Sequence, residues 1–176
     1  AQNILSNEFL IRLSIVSAIL AALVTVFTAL SLYKVLRYVN RFQAKIMVVF
    51  TIIAAPVSMI NELNHIAILL RPKSSEHLAI LLDLHKYGIH IAGLFWGLWL
   101  LPMGYLVFKS NYIPKIIGVL LMIGCLGYVT DFLTFFLFPG CSIVVGEYTF
   151  IGEVVMVMWL LIKGINEDKF KTTFNN

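Results

Sequence analysis

Charge is what this chain of 176 residues has least of: 12% of its positions are Asp, Glu, Lys or Arg, about half the share of a soluble domain. A surface that faces water needs charge, so a soluble globular enzyme is excluded. Disorder is excluded by the opposite excess. Hydrophobic residues make up 60% of the chain, and disordered segments are poor in Leu, Ile, Val and Phe. Cysteine is scarce as well. Cys125 and Cys141 are the only two, too few for a disulfide framework, and one helix reaching residue 138 would hold them about 20 Å apart. The apolar runs do not alternate with period two, which excludes a closed β-barrel. There is no phosphate loop, no G-x-S-x-G elbow, no C-x-x-C and no H-E-x-x-H. What remains is an all-α, multi-pass transmembrane helix bundle.

A bilayer core needs about 20 apolar residues per helix. Five stretches meet this, at about 13–33, 46–70, 89–108, 116–138 and 144–163. They predict one transmembrane domain over residues 1–164 and a polar tail over 165–176. The first stretch lacks a small-residue cleavage site and is not read as a secretory signal. Ser75 is the expected N-cap of an amphipathic lead-in to the third span. Pro114 stands near the start of the fourth, where its missing N–H is harmless. Pro56 is expected to kink the second span.

Basic residues set the expected orientation. Of the 13 Lys and Arg, nine fall in the 34–45 loop, at Lys109 and Lys115, and in the tail region; four (Arg12, Arg71, Lys73, Lys86) fall on the opposite side. That bias predicts an inner (plasma) membrane protein whose present N-terminus lies outside and whose C-terminus is cytoplasmic. The basic 34–45 loop suits anionic lipid, not nucleic acid.

On this topology the acids and histidines gather toward the outer side. Glu62, His65, Asp83, His85, His90, Asp131 and Glu147 lie there, and Glu153 falls near the middle of the last span. Ionisable groups inside a membrane usually face the bundle interior and often mark function. Glu62 and His65 are spaced E-x-x-H, on one helix face. Such mixed carboxylate and imidazole donors suit zinc or a di-iron bundle, although a di-iron site needs a second copy of the motif. The same groups would also serve as hydrogen-bonding staples between helices. Gly93 and Gly97 form G-x-x-x-G, extended by Gly104, a pattern of close helix packing.

The stretch 83–164 adds a more specific pattern. It opens with Asp83-Leu84-His85-Lys86-Tyr87-Gly88, continues through Leu94-Phe95-Trp96-Gly97-Leu98-Trp99 to Pro102-Met103-Gly104-Tyr105, then Ile113-Pro114-Lys115 and Gly118, Gly127-Tyr128-Val129-Thr130-Asp131 and Pro139, and ends with Gly152-Glu153 and Trp159-Leu160-Leu161-Ile162-Lys163-Gly164. This resembles the DUF4386 family of bacterial and archaeal membrane proteins, a family without an assigned activity. The resemblance implies six helices, the first of which is missing here. The family's commonest features match at Asp83, His85, Gly88, Gly97, Gly104, Pro114, Gly118, Asp131 and Glu153. The Asn61 to His65 cluster is not among them, and Gly93 stands where relatives often have a larger residue.

Three expectations follow. The leading one is binding of a lipid or hydrophobic small molecule in an outward-facing polar cavity lined by Glu62, His65, Asp83, His85, His90, Asp131, Glu147 and Glu153. The second is a metal-dependent membrane enzyme holding a divalent cation on His85, His90, Asp131 and Glu153, with Glu62 and His65 as further donors. The third is a structural or assembly subunit without a ligand. Membrane lipids are the expected partners, and Gly93, Gly97 and Gly104 offer a face for a homo-oligomer.

Overall fold

The computed structural model describes residues 7–70, 74–138, 140 and 144–174, with side chains through residue 171. Arg71, Lys73, Pro139, Cys141 and Ser142 lie outside the described residues. Those described are all-helical: α1 (Glu8–Leu36), α2 (Arg41–Asn61), α3 (Leu63–Leu69), α4 (Ser75–Ser110), α5 (Lys115–Leu137), α6 (Gly146–Thr149), α7 (Ile151–Ile162) and α8 (Glu167–Phe174).

Local chemistry sets most of these boundaries. Asn40 caps α2, its side chain accepting from the N–H groups of Phe42 and Gln43 at 3.1 Å, which satisfies donors that no helical carbonyl can reach. Ser74, one residue before the expected cap, accepts from the His77 N–H at 3.2 Å. The lead-in and the third span thereby merge into one helix of 36 residues, about 54 Å long. Asn111 ends it in the left-handed region at φ 60°, a conformation asparagine tolerates. Gly164, at φ 65°, closes α7, its N–H donating to the Trp159 carbonyl at 3.1 Å.

Four helical spans are long and apolar enough to cross a membrane: Glu8–Leu36, Arg41–Leu69, Ser75–Ser110 and Lys115–Leu137. The second is α2 and α3 taken together. Its helical backbone continues through Pro56 and is interrupted at Glu62, whose N–H donates to the Met59 carbonyl at 3.2 Å. The fifth predicted stretch is not one helix. It divides at Phe150 into α6, of four residues, and α7, of 12. The tail also departs from expectation. Asn166 caps α8 through the Lys169 N–H at 3.1 Å, and the Phe170 ring meets Tyr112 edge-on at 5.4 Å.

α4 is the central helix, packed chiefly against α5 and α2, while α1 leans on α2. The well-packed core occupies only one half of the bundle. It joins Leu36, Met47, Leu100, Leu106, Ile117 and Leu121, each 0–1% exposed, with Met156 and the 111–114 turn. The Tyr112 hydroxyl seals this end by donating to the Val35 carbonyl at 2.9 Å. Burial pushes its pKa up to about 12, so the phenol remains a donor. On the basic-residue reading this is the cytoplasmic half. In the other half α1 exposes large apolar side chains, Phe9, Leu13 and Val16 among them.

Glycines account for the tight half. A Cβ on Gly104 would lie 2.6 Å from the Gly118 carbonyl oxygen, and one on Gly118 would lie 2.6 Å from the Gly104 carbonyl oxygen. The α4 and α5 backbones are therefore in direct contact. Gly97 faces Tyr128 of α5 in the same way. The face formed by Gly93, Gly97 and Gly104, expected to be open to a second copy, is thus buried within one chain.

Gly104→Leu should therefore destabilise the fold by about 3 kcal/mol, the upper range for overpacking, when unfolding is followed in detergent micelles. Gly93→Ala should be neutral or stabilising, because its new methyl group would only reach ordinary contact with Tyr128 Cδ1 at 3.8 Å and alanine is the better helix former.

Candidate functional site

The half away from this core holds two polar constellations, both bordered by α4. The first is built at the α2–α3 break. The turn at Glu62 brings Glu62 and His65 to one face, with His65 Nδ1 2.8 Å from Glu62 Oε2. Across from them His85 projects from α4, and its ring stacks on that of His65 at a centroid distance of 3.7 Å. Glu62, His65 and His85 each place one donor atom within 4.8 Å of the others; among the described residues they are the group of three or more able to share an ion. The Glu62 side chain is only 9% exposed.

Asn61 organises this cluster. Its amide donates to the His85 carbonyl oxygen at 3.0 Å and lies 3.2 Å from His85 Nδ1. The same Nδ1 is 3.4 Å from the Asn61 carbonyl oxygen. Asn64 in turn donates to Asn61 Oδ1 at 3.1 Å. Gly88 makes room for the arrangement, since a Cβ there would overlap Asn61 Oδ1 and Cγ. A cavity of about 360 Å³ opens beside the cluster. Its walls are small residues, Ala18, Ala22, Ala54 and Ala55 with Thr25 and Thr51, and Asn61, Glu62 and His85 form its polar part.

The second constellation lies between α4, α5 and α6. Asp131 accepts from the backbone N–H groups of Val145 at 2.6 Å and Gly146 at 2.8 Å. Gly146 is required there because a Cβ would approach Asp131 Oδ2 to 2.5 Å. The Tyr128 hydroxyl donates to Glu153 Oε1 at 3.1 Å. His90 stacks on Phe135 at 3.7 Å, with Lys86 Nζ 5.4 Å from the centre of that ring. A cavity of about 520 Å³ touches His90, Tyr128, Asp131 and the exposed Glu147, and shares the Ile89 and Trp96 wall of α4 with the first cavity.

The eight expected site residues thus separate. Glu62, His65 and His85 come together, with Asn61 as an organiser. His90, Asp131 and Glu147 border the second cavity, and Glu153 is held by Tyr128. Asp83 is exposed and lines neither cavity. The four expected metal donors, His85, His90, Asp131 and Glu153, do not form one set. His85 belongs to the Glu62 cluster, His90 is committed to an aromatic stack, and both oxygens of Asp131 are taken by backbone N–H groups. Sequence reading missed Tyr128, although its placement one turn before Asp131 puts both on one helix face. It also missed the positioning role of Asn61. Its signal was a polar amide set in an oily helix directly before Glu62.

A family described as "Domain of unknown function (DUF4386)" matches residues 1–164. The chain belongs to that family. It is also similar to an uncharacterized protein of Archaeoglobus fulgidus, at 33% identity over 169 residues, covering 92% of this chain and 93% of that protein. No solved structure matches. Within this DUF4386 chain, several motif residues have concrete duties: Gly88 seats Asn61, Gly97, Gly104 and Gly118 bring α4 to α5, and Asp131 holds the start of α6.

Replacing Asp131 with Ala leaves the Val145 and Gly146 N–H groups without their acceptor. Each such bond to a charged group contributes about 1.5–3 kcal/mol, so hydrogen exchange at 145–149 should speed up by at least tenfold, read by mass spectrometry. Exchange in the α2–α3 break should not change.

Proposed function

We propose that this protein spans the inner membrane five times and binds one lipid-like or hydrophobic small molecule between α1, α2 and α4. The observation that carries the reading is the 360 Å³ cavity, which has apolar walls of small residues and polar groups from Asn61, Glu62 and His85. Ligand pockets generally combine an apolar body with a few placed polar groups. A slot of this volume takes an acyl or prenyl segment, and the carboxylate and imidazole receive a polar head. Only small side chains line the α1 wall at Ala18, Ala21 and Ala22, which leaves the slot open along a helix that is itself little buried.

In this reading the fifth span consists of α6 and α7 in sequence. Their combined run of 17 residues from Gly146 to Ile162, about 26 Å long, is close to the hydrocarbon thickness of a bilayer. The binding cavity then opens in the outer leaflet, and the basic 34–45 loop and α8 lie on the cytoplasmic side with anionic lipid headgroups.

Two measurements test this. Extraction of the purified chain followed by mass spectrometry should recover about one small amphipath per protein, and Ala55→Phe, which fills the cavity, should reduce the recovery at least tenfold without loss of the folded monomer peak. Equal recovery from the two proteins would refute the binding site. For the orientation, single cysteines placed at Gln43 and Glu76 in a background lacking the native cysteines should label from opposite sides of intact cells, Glu76→Cys from outside. Labelling of Gln43→Cys by an impermeant reagent would reverse the topology.

A further inference from the structure

We infer that Glu62, His65 and His85 form a binding site for one divalent transition-metal ion, with Asn61 as the residue that positions His85. One carboxylate and two imidazoles are a donor set that first-row divalent ions accept, and a site with three protein donors leaves a position open to a further ligand. The spacing of the donors is near that required, and the two rings, stacked with 28° between their planes, must turn out of the stack for both nitrogens to point at one ion. A tetrahedral ion at about 2.1 Å from each donor needs donor atoms about 3.4 Å apart, and here the three lie within 4.8 Å of one another.

Charge supplies the second argument. A buried carboxylate is costly unless a cation compensates it. Among the described residues the ion pairs are Arg12 with Glu8, Lys171 with Glu167, and His65 with Glu62. Among the described residues, then, no lysine or arginine pairs with Glu62. Its partner is an imidazole that is itself stacked at 3.7 Å on another imidazole. Neutral imidazoles are metal ligands, and one divalent ion compensates the carboxylate without charging either ring.

The surroundings are those of a ligand held in place. A metal-binding histidine usually donates its second ring N–H to a carbonyl or carboxylate, which orients the ring. His85 Nδ1 is turned to Asn61, 3.2 Å from its amide nitrogen and 3.4 Å from its carbonyl oxygen, which leaves Nε2 to bind the ion. The Asn61 side chain fastens the α4 backbone at His85 through the 3.0 Å bond to its carbonyl oxygen. Glu62 and His85 also border the 360 Å³ cavity, so an oxygen of water or of a bound amphipath completes the coordination. The site stands on its donors and holds whether or not the cavity takes a lipid.

The test uses the tag-free full chain in detergent micelles, stripped with a chelator and titrated with Co²⁺ and then Zn²⁺. Native protein should bind about one ion per chain, with the visible absorption of nitrogen- and oxygen-coordinated Co²⁺ bleached by Zn²⁺. His65→Ala and His85→Ala should weaken binding about 100-fold, and Glu62→Gln, which keeps the side-chain shape, at least tenfold. Asn61→Ala should weaken it about tenfold, as for other residues that orient a ligand. Exposed His77→Ala and Phe135-stacked His90→Ala should bind as the native protein does. Native-like binding by Glu62→Gln together with either histidine variant would overturn the assignment, as would a loss in His77→Ala equal to that in His85→Ala. If His85→Ala does not fold, the Glu62→Gln and Asn61→Ala titrations decide. Ala55→Phe separates this inference from lipid binding, because it should fill the cavity, exclude the lipid and leave the ion.

Discussion

The backbone contact between α4 and α5 at Gly104 and Gly118 is the constraint on which the rest of the arrangement depends. Toward the 111–114 turn Leu100, Leu106, Ile117 and Leu121 fill the core around the pair. Toward the other end the two helices remain in contact through Gly97 with Tyr128 and His90 with Phe135, and cavities lined by Ile89 and Trp96 of α4 lie beside them. Lipid gives helices little hydrophobic reason to associate, because its tails are as apolar as leucine. Close glycine packing supplies dispersion contacts in place of that drive, and it does so in the half where the chain needs no site.

The other half is organised by a different requirement. Polar groups there have little water and must satisfy one another. Asp131 gives both oxygens to backbone N–H groups that α6 could not satisfy internally. Glu153 accepts from Tyr128. These two constellations are complete as structural ties, which is why they offer little to a ligand beyond their outer surface. The Glu62, His65 and His85 cluster differs. Among the described residues its carboxylate has an imidazole for a partner and no lysine or arginine, and its donors converge beside a cavity. The distinction between a staple and a site lies in what each group has left over after its neighbours are counted.

The helix break at Glu62 shows how such a cluster is made. A straight helix would present Glu62 and His65 at adjacent levels of one face. The tight turn, with the Glu62 N–H bonded to Met59, ends α2 and starts the short α3 there. Asn61 is then free to reach α4, and Gly88 provides the space. Family membership adds no activity, but Gly88, a motif residue, acts through Asn61, a residue outside the motif. The position that the motif keeps open is the one the local cluster uses.

Much of the fold was legible in the sequence because the physics of each span is local. Twenty apolar residues are a span wherever they occur, and glycines at four-residue intervals mark a close-packed face. Four of the five expected spans coincide with long helices. The divided fifth and the docked α8 were not legible, because the bend at Phe150 and the contact of Phe170 with Tyr112 depend on residues far away in the chain. The candidate site was legible in its ingredients and not in its grouping. The E-x-x-H spacing of Glu62 and His65 is a property of one helix, whereas the choice of His85 over His90 as their companion is set by how α4 is rotated against α2. Five residues, about 1.4 turns, separate the two histidines and set them on different faces of α4, and packing at Gly88 and Gly97 decides which face meets α2. By itself, then, the sequence determined that this is a helical chain with runs long and apolar enough to cross a membrane. Tertiary structure alone decided which of them meet, because side chains 24 residues apart, as Asn61 and His85 are, come together only through the rotation and spacing of packed helices.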